Sequence, residues 1–403
     1  MEGMSELDVL VGREPAGRLG KAVLPHRRED YVFTYRTDNP ERAISVTMPL
    51  RAGSYDAPQL HPIFVQNLPE GYLGDIIRRT VSKLYGSSEL ALLAALGPYQ
   101  IGRLSYEPPG QVRDAEHSTE QLETLLSAEN PDLFAELVEK YALHSGISGV
   151  QPKLLIAATS EPPRGKAAIR SHKLIVKAWG QDFPHLALNE YFCMSVAKAA
   201  GLRVPHFDVS RDARLFIMER FDVSEAGGYL GFEDGCVMQG RAPAEKYDST
   251  YERLARSISD YVSPLRRQAA LAELFGSIVV SWAVRNGDAH LKNFGILYDR
   301  PGGTVDIAPA YDIVTTTAYL RNDVPALHMA RSKRWWPIGW LARFGTNHCG
   351  QSPNQTKVII KAVAGALVKV LPELTHAAPR FPDVAEPMIE AWEASLKEIS
   401  AWL

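Results

Sequence analysis

Apolar residues near the start of the chain recur in short β-rich runs separated by Gly, Pro, Asn and Asp. Such runs predict strands, and the expected strands are 7–11, 32–35 and 44–48. The apolar spacing then becomes helical, and the expected helices are 61–68, 73–83 and 89–96. The polar, Pro-rich stretch 106–120 that follows predicts a linker or an exposed loop.

The middle of the chain combines strands with helices. A short helix is expected at 130–142, and a Gly/Ser loop follows it. The expected strands are 154–157, 173–177 and 215–218. A helix is expected at about 185–200, and Gly201 is a typical residue to end it. Beyond residue 250 the pattern is mainly helical, with one β-hairpin.

The most informative stretch lies between residues 271 and 312. Apolar residues from Leu271 to Trp282 recur at helical spacing, which predicts the buried face of a helix. Ser263-Pro264 predicts its capped start. Asn286-Gly287 predicts its end, and strands at 294–298 and 305–308 then predict a hairpin.

Composition places the chain among ordinary globular proteins. Its 403 residues suggest two to three domains or lobes, at roughly 150 residues per domain. The formal net charge of −3, from 44 Lys and Arg against 47 Asp and Glu, does not favour a general binder of nucleic acid or membrane surfaces.

Cysteine usage and hydropathy indicate a cytoplasmic protein. Cys193, Cys236 and Cys349 are isolated and lack CxxC spacing, so they predict neither a disulfide framework nor a thiolate zinc site. The sequence has no run of about 18 apolar residues, so no transmembrane helix is expected. The acidic N-terminal stretch is not typical of a signal peptide.

Two carboxylates and one amide frame the loop between the predicted helix and hairpin. The spacing Asp288-x4-Asn293 matches the D-x-x-x-x-N part of a kinase catalytic loop. There, one carboxylate accepts the proton of the attacking hydroxyl and the amide oxygen reaches a metal. A second carboxylate, here Asp312, binds the magnesium that bridges the phosphates. Taken alone, Asp288 is more often an Asx-turn residue, but the ordered set of elements favours a phosphotransferase.

Residues upstream supply a candidate nucleotide site. Lys177 ends a short apolar strand, from which a lysine can neutralise phosphates, and Glu190 on the next helix is a candidate partner. Alternatively, Lys177 reaches to water and Glu190 is an exposed acid on a helix surface. The strand 215–218 leads into Glu219 and Phe221, where a kinase holds adenine through its backbone; an ordinary strand exit is the alternative.

The segment 144–153, HSGISGVQPK, has two glycines beside two serines. It matches neither the P-loop pattern nor G-x-G-x-x-G. The backbone N–H groups of such a loop can approach phosphates, and an ordinary Gly/Ser turn is the alternative.

Together these elements resemble the HipA family of bacterial serine/threonine protein kinases, the toxins of HipBA-type modules. Two segments are similar to the family's N-terminal subdomain, HPIFVQNLPEG (61–71) and ALLAALGPYQIGRL (91–104). Six more match the kinase part in order: SGVQPKLL (148–155), KLIVK (173–177), LNEYFCMSVAKAAGL (188–202), MERFD (218–222), NGDAHLKNF (286–294) and APAYDI (308–313).

The resemblance implies an α+β, bilobal protein-kinase-like fold. We expect an N-terminal α+β subdomain at 1–110, a region like the kinase N-lobe at 111–240 that carries the ATP loop and hinge, and a largely helical C-lobe at 241–403. The implied cofactors are ATP and Mg²⁺.

The resemblance also implies roles for single residues. Asp288 would be the catalytic base, Asn293 and Asp312 would hold Mg²⁺, and Glu190 would support Lys177. The implied ATP contacts are Ser148, Gly149, Val150, Gln151, Lys153, Lys177, Glu219, Phe221, His290, Asn293 and Asp312.

The chain departs from the family in the Gly/Ser loop. Family members carry a serine three residues or one residue before the second loop glycine, and its autophosphorylation inactivates the enzyme. Gly146 stands at the earlier position here, with a serine displaced to Ser145, and only Ser148 is in register. We therefore expect autophosphorylation at Ser148, with Ser145 as second choice.

The resemblance implies partners as well. The expected substrate is a protein, an aminoacyl-tRNA synthetase, whose phosphorylation inhibits translation and growth. A HipB-like DNA-binding antitoxin would restrain the toxin and provide the only link to DNA, and no membrane is involved. Two alternatives remain: a small-molecule kinase of the aminoglycoside or choline type, and a catalytically idle co-repressor module, although a complete set of catalytic positions argues against the latter.

Overall fold

The computed structural model describes residues 5–23, 29–84, 86, 88–111, 113, 119–130, 132–148, 151–160, 170–180 and 182–403. The chain divides into two compact units. The first contains Met1–Ala178, Ser210–Pro243 and Leu297–Val305, and the second contains Trp179–Val209, Ala244–Ile296 and Asp306–Leu403. The domain boundaries expected near residues 110 and 240 stay predictions.

The described residues form strands and helices in an α+β arrangement. The strands are β1 (Glu6–Val11), β2 (Glu14–Val23), β3 (Glu29–Tyr35), β4 (Tyr55–Ala57), β5 (Leu104–Glu107), β6 (Thr119–Gln121), β7 (Lys153–Ser160), β8 (Arg170–Ala178), β9 (Phe207–Val209), β10 (Leu215–Glu219), β11 (Gly231–Asp234), β12 (Gly295–Tyr298) and β13 (Val305–Ile307). The α-helices are α1 (Pro62–Val65), α2 (Gly71–Leu84), α3 (Glu89–Leu96), α4 (Leu122–Leu126), α5 (Leu133–Tyr141), α6 (Leu186–Ala199), α7 (Gly235–Met238), α8 (Tyr251–Tyr261), α9 (Arg267–Ala283), α10 (Ile338–His348), α11 (Pro353–Ala377) and α12 (Pro382–Trp402).

The first sheet is antiparallel, with the strand order β4-β3-β2-β1-β5. Alternate residues of its strands, such as Leu7, Val9 and Phe33, are buried against apolar residues of α1 and α3. The sequence pattern missed β2, because Gly17, Gly20 and charged residues interrupt its apolar residues.

The strand predicted at 44–48 is wrong, because this segment is irregular. Its backbone groups bond to side chains instead of a neighbouring strand. The N–H of Ile44 donates to the hydroxyl of Tyr35, which donates to the carbonyl of Met48. The N–H of Val46 donates to the carboxylate of the buried Glu233 at 2.8 Å. Side-chain acceptors from distant parts of the chain thus replace the ladder that the apolar pattern predicted.

The second sheet contains β6, β7, β8 and β10 in that order. β6 is parallel to β7, whereas β7–β8 and β8–β10 are antiparallel. One face, which includes Leu154, Ile156, Leu174 and Val176, packs on α2 and α5 in a single apolar core. Since side chains alternate across a strand, the intervening residues lie on the opposite face.

The second unit is mainly helical, as its apolar spacing predicts. It contains α6 and the helices from α8 to α12, and α11 begins with a capping box in which Ser352 and Gln355 bond each other's backbone N–H groups. The predicted start of α9 is wrong. Ser263-Pro264 lies in the preceding turn, and the helix begins at Arg267 without a side-chain cap.

The described part of the chain holds no helix that is both long and apolar enough to span a bilayer.

Candidate active site

The loop after α9 is shaped by local polar contacts. The N–H of Asn286 donates to the carbonyl of Ser281 at 2.8 Å and ends the helix. The side chain of Asn286 accepts from the N–H of Asp288 at 3.0 Å, so Asn286 forms the Asx turn. The alternative reading of Asp288 as the turn residue is therefore unnecessary, and its carboxylate is left for other contacts.

Gly287 is required at its position by close packing. Its N–H donates to the hydroxyl of Thr316 at 2.7 Å. A Cβ atom at Gly287 would lie 2.8 Å from the backbone carbonyl oxygen of Val324 and would also meet the carboxylate of Asp323. These contacts fix the residue directly before Asp288.

The carboxylate of Asp288 lies in a partly enclosed environment. Its Oδ1 accepts from the hydroxyl of Tyr247 at 2.8 Å. Burial raises the pKa of Asp288 to about 6, although the Tyr247 hydrogen bond opposes that shift. The side chain nevertheless remains 51% exposed, so hydration reduces the effect of burial. A carboxylate with such a pKa suits a general base near neutral pH.

Asn293 and Asp312 are brought into direct contact. The side-chain amide of Asn293 donates to Oδ2 of Asp312 at 2.9 Å, and its oxygen accepts from the N–H of His290 at 3.0 Å. The pairing of the returning hairpin is seen where the N–H of Ala308 donates to the carbonyl of Gly295 at 2.8 Å. The sequence-based expectation that Asp312 returns beside Asn293 is therefore met in the geometry.

The donor types of this pair suit a magnesium ion, but in this structure the amide nitrogen of Asn293, not its oxygen, faces Asp312. To share an ion with Asp312, the amide would turn its oxygen toward the carboxylate. Carboxylate and amide oxygens are hard ligands of the kind that Mg²⁺ prefers. Asp312 adopts a left-handed backbone conformation with φ of 59°. A non-glycine residue in that conformation is strained, and such strain is common at functional sites.

The chain after Asp312 is anchored by a contact that sequence reasoning missed. Asn189 on α6 donates to the carbonyl of Thr315 at 3.0 Å and accepts from its N–H at 2.7 Å. The hydroxyl of Thr315 in turn accepts from the indole N–H of Trp392 on α12 at 3.0 Å. Nothing local to Asn189 in the sequence marks this role, because its partner lies 126 residues away.

His290 is neutral at physiological pH. Burial lowers its pKa to about 3. Its ring meets that of Tyr247 edge to face, with centroids 5.2 Å apart. A neutral imidazole at this place adds no positive charge beside Asp288.

In the first unit, strand register places two lysines side by side. Lys153 on β7 lies opposite Lys177 on β8, and both side chains are buried. Leu155 and Ile175 form the next pair along the same face, and Met218 lies opposite Ile175. We call these five residues the lysine face. Like charges directly opposite each other repel, so this arrangement suits a binder of anions such as phosphates.

The loop that leads to β7 is described only up to Ser148. Gly149 and Val150, two predicted ATP contacts, lie outside the described residues. The hydroxyl of Ser148 donates to Glu70 at 3.1 Å. Gln151 donates to the carbonyl of Ala178 at 3.1 Å, so its side chain supports the end of β8.

Ser145 is part of the structural framework. It is fully buried, its hydroxyl donates to the carbonyl of Tyr141 at 2.8 Å, and it accepts from the N–H of Leu155 at 2.9 Å. These two bonds use the hydroxyl of Ser145, whereas Ser148 is partly exposed. The geometry therefore favours Ser148 as the site of modification.

The predicted adenine contacts follow β10. The carboxylate of Glu219 bonds to His172 on β8 at 2.8 Å, and the ring of Phe221 packs on Phe232 with centroids 5.2 Å apart. The Glu219 side chain is therefore held by a neighbouring strand, and the adenine contacts of Glu219 and Phe221 stay predictions. Glu190 is buried on α6 in the second unit, and its pairing with Lys177 stays a prediction.

Comparison with known proteins places the chain in a family. The family model for the HipA-like C-terminal domain matches residues 145–371, and that for the HipA N-terminal domain matches residues 7–107. The chain belongs to the HipA family.

Curated relatives and a solved structure agree with that membership. A Sinorhizobium fredii protein named "Putative kinase Y4dM" is 30% identical over 68% of this chain and 66% of its own length. The serine/threonine-protein kinase toxin HipA of Shewanella oneidensis is 25% identical over 68% of this chain and 67% of its own length.

A structure of the Shewanella oneidensis HipA, HipB and operator DNA complex matches with a TM-score of 0.69 at 18% identity. The match covers 98% of this chain and 97% of that one. It supports the bilobal kinase-like fold that the sequence predicts for this HipA family member.

Proposed function

We propose that this HipA family member is an ATP- and Mg²⁺-dependent serine/threonine protein kinase that acts as a toxin. The observation that carries the proposal is the arrangement of Asp288, Asn293 and Asp312 in the second unit. One loop presents a carboxylate with a raised pKa, and a hairpin brings a second carboxylate within 2.9 Å of the side-chain amide nitrogen of Asn293. Phosphoryl transfer requires this division between a base and metal-binding oxygens.

Each residue has a defined part in the proposed reaction. The acceptor hydroxyl gives its proton to Asp288 while its oxygen bonds to the γ-phosphorus, and ADP leaves. When bound, Mg²⁺ neutralises the charge that develops on the phosphate oxygens, and Asn293 and Asp312 would hold it. Lys153 and Lys177 add positive charge from the lysine face, and the backbone at Glu219 and Phe221 contacts adenine.

Family membership supports the proposed substrate, partner and regulation. The substrate is a protein, an aminoacyl-tRNA synthetase, whose phosphorylation inhibits translation. A HipB-like DNA-binding antitoxin restrains the kinase in the cytoplasm and links it to DNA. Autophosphorylation of Ser148 switches it off, since a phosphate there would repel the carboxylate of Glu70 that Ser148 now bonds.

The test is incubation of the purified chain with Mg²⁺, labelled ATP and a cell lysate, followed by mapping of the label. We expect label on protein serine or threonine, including Ser148. We expect the rate of phosphate transfer to be several orders of magnitude lower in the Asp288→Asn variant. Asp260→Asn is the matched control, because it removes one carboxylate from an exposed position of α8 in the same unit.

The outcomes separate the alternatives. Label on a metabolite instead of protein would indicate a small-molecule kinase. An absence of both ATP binding and transfer would indicate an idle co-repressor. Wild-type transfer by Asp288→Asn would contradict the proposed site.

A further inference from the structure

Tyr247 lies against the proposed catalytic base although it is 41 residues away along the chain. Its hydroxyl donates to Oδ1 of Asp288 at 2.8 Å. Tyr247 is 38% exposed, and its ring lies edge to face with the ring of His290. Tyr247 therefore contacts two side chains of the loop that also carries Asn293.

The segment that holds Tyr247 is fixed from several directions. The N–H of Leu291 donates to the carbonyl of Lys246 at 3.1 Å, which ties the segment to the catalytic loop through the backbone. Lys333 donates to the carbonyl of Tyr247 at 3.4 Å. Three residues later, α8 begins at a Thr250 cap. These anchors make Tyr247 a fixed neighbour of Asp288.

A general base works only if one of its oxygens points at the acceptor proton. The side chain of Asp288 lies on a loop and is 51% exposed, so it would otherwise rotate freely about its terminal bond. The Tyr247 hydrogen bond holds Oδ1. The other oxygen, Oδ2, lies 4.0 Å from Nε2 of His290, which is beyond hydrogen-bond distance.

We propose that Tyr247 is a positioning residue: it holds Oδ1 of Asp288 so that Oδ2 faces the hydroxyl of the acceptor. This inference rests on the proposed kinase function. The opposite role, in which the phenol occupies the place of the acceptor hydroxyl and blocks it, predicts a faster enzyme when the phenol is removed.

The test compares Tyr247→Phe with the wild type over a range of ATP concentrations. Turnover is measured as total labelled phosphate transferred to protein or released to water, at one protein concentration. We expect the maximal rate to fall about tenfold, because an unoriented base reacts less often. The ATP concentration that gives half the maximal rate should be unchanged. Only maximal turnover should change, since Tyr247 acts through Asp288 and does not bind ATP.

Two further variants complete the test. Tyr31→Phe is the matched control, since the Tyr31 hydroxyl also donates to a carboxylate, that of Glu89 in the first unit, at 3.0 Å. We expect it to react at the wild-type rate. In an Asp288→Asn background, Tyr247→Phe should cause no further loss, because the two residues act as one.

Each contrary result is decisive. An unchanged or faster Tyr247→Phe enzyme would overturn the positioning role while leaving the kinase proposal intact. An equal additional loss in the Asp288→Asn background would assign Tyr247 to a different step and overturn the inference. A wild-type chain with no turnover would overturn the kinase proposal itself, which is recognisable without any Tyr247 variant.

Discussion

The catalytic loop (residues 286–293) and the lysine face are built in different ways. In the loop, side chains a few residues apart are held by hydrogen bonds, and Asp288 stays 51% exposed. On the lysine face, side chains from three strands are aligned by register, and Lys177 is only 2% exposed. Substitution of the exposed Asp288 should therefore remove chemistry at little structural cost, whereas changes near the face act on both ATP use and packing.

The strongest test of the lysine face is removal of its central charge. We expect Lys177→Met to lower phosphate transfer by about 10²-fold or more, because a preorganised positive charge beside the phosphates is lost. Initial rates at saturating ATP measure the effect. Lys173→Met is the control, since Lys173 lies on the same strand, four residues earlier and more exposed. Equal rates for the two variants would contradict the assigned role of Lys177.

The pH dependence of turnover tests the loop. Asp288 must be ionised to accept a proton, so activity should be lost as pH falls through its pKa. Because burial raises that pKa to about 6, we expect rates to fall about tenfold per pH unit below about pH 6. Rates from pH 4.5 to 8 give the midpoint, and circular dichroism over the same range checks that the fold persists. A constant rate down to pH 5 would show that the pKa of Asp288 is not raised.

Ser145 and Ser148 provide a test of the difference between a buried structural serine and a partly exposed one. Ser145→Ala leaves the Leu155 N–H without its acceptor, so we expect the free energy of unfolding to fall by about 1–3 kcal/mol. Ser148→Ala should change it by less than about 0.5 kcal/mol. Urea unfolding of both variants measures this, and an equal loss in both would mean that Ser145 is not the structural residue.

The smallest effect is expected at Glu219. Its carboxylate bonds to His172. The half-saturating ATP concentration of Glu219→Gln should therefore stay within about twofold of the wild-type value. ATP titration of the wild type and variant gives the comparison. A tenfold change would mean that the side chain itself contacts the nucleotide.

Sequence patterns predicted several helices well. The helices expected at 73–83, 89–96 and 185–200 agree closely with α2, α3 and α6. An apolar stripe at helical spacing marks α2, whereas α3 is buried on nearly all sides and its ends are marked by Ser88 and Gly97. The strand at 44–48 failed because side chains from elsewhere in the chain, including Glu233, bond its backbone. The start of α9 failed because a Ser-Pro pair also suits the turn before a helix.

The catalytic loop was accessible from sequence because its main parts lie within 25 residues of each other. Their spacing in the sequence was enough to identify Asp288, Asn293 and Asp312 as candidates. Tyr247 and Asn189 were not found, because their partners lie 41 and 126 residues away along the chain, respectively. No local pattern marks such a contact.

The sequence by itself determined several helices, the strand of Lys177, the order of catalytic motifs and the family they resemble. These are properties of neighbouring residues, and local spacing encodes them. Only the tertiary structure decided that Tyr247 holds Asp288, that Lys153 lies opposite Lys177, and that Ser145 is buried while Ser148 is partly exposed. Strand register and long-range hydrogen bonds set these relations, and both depend on how the whole chain packs.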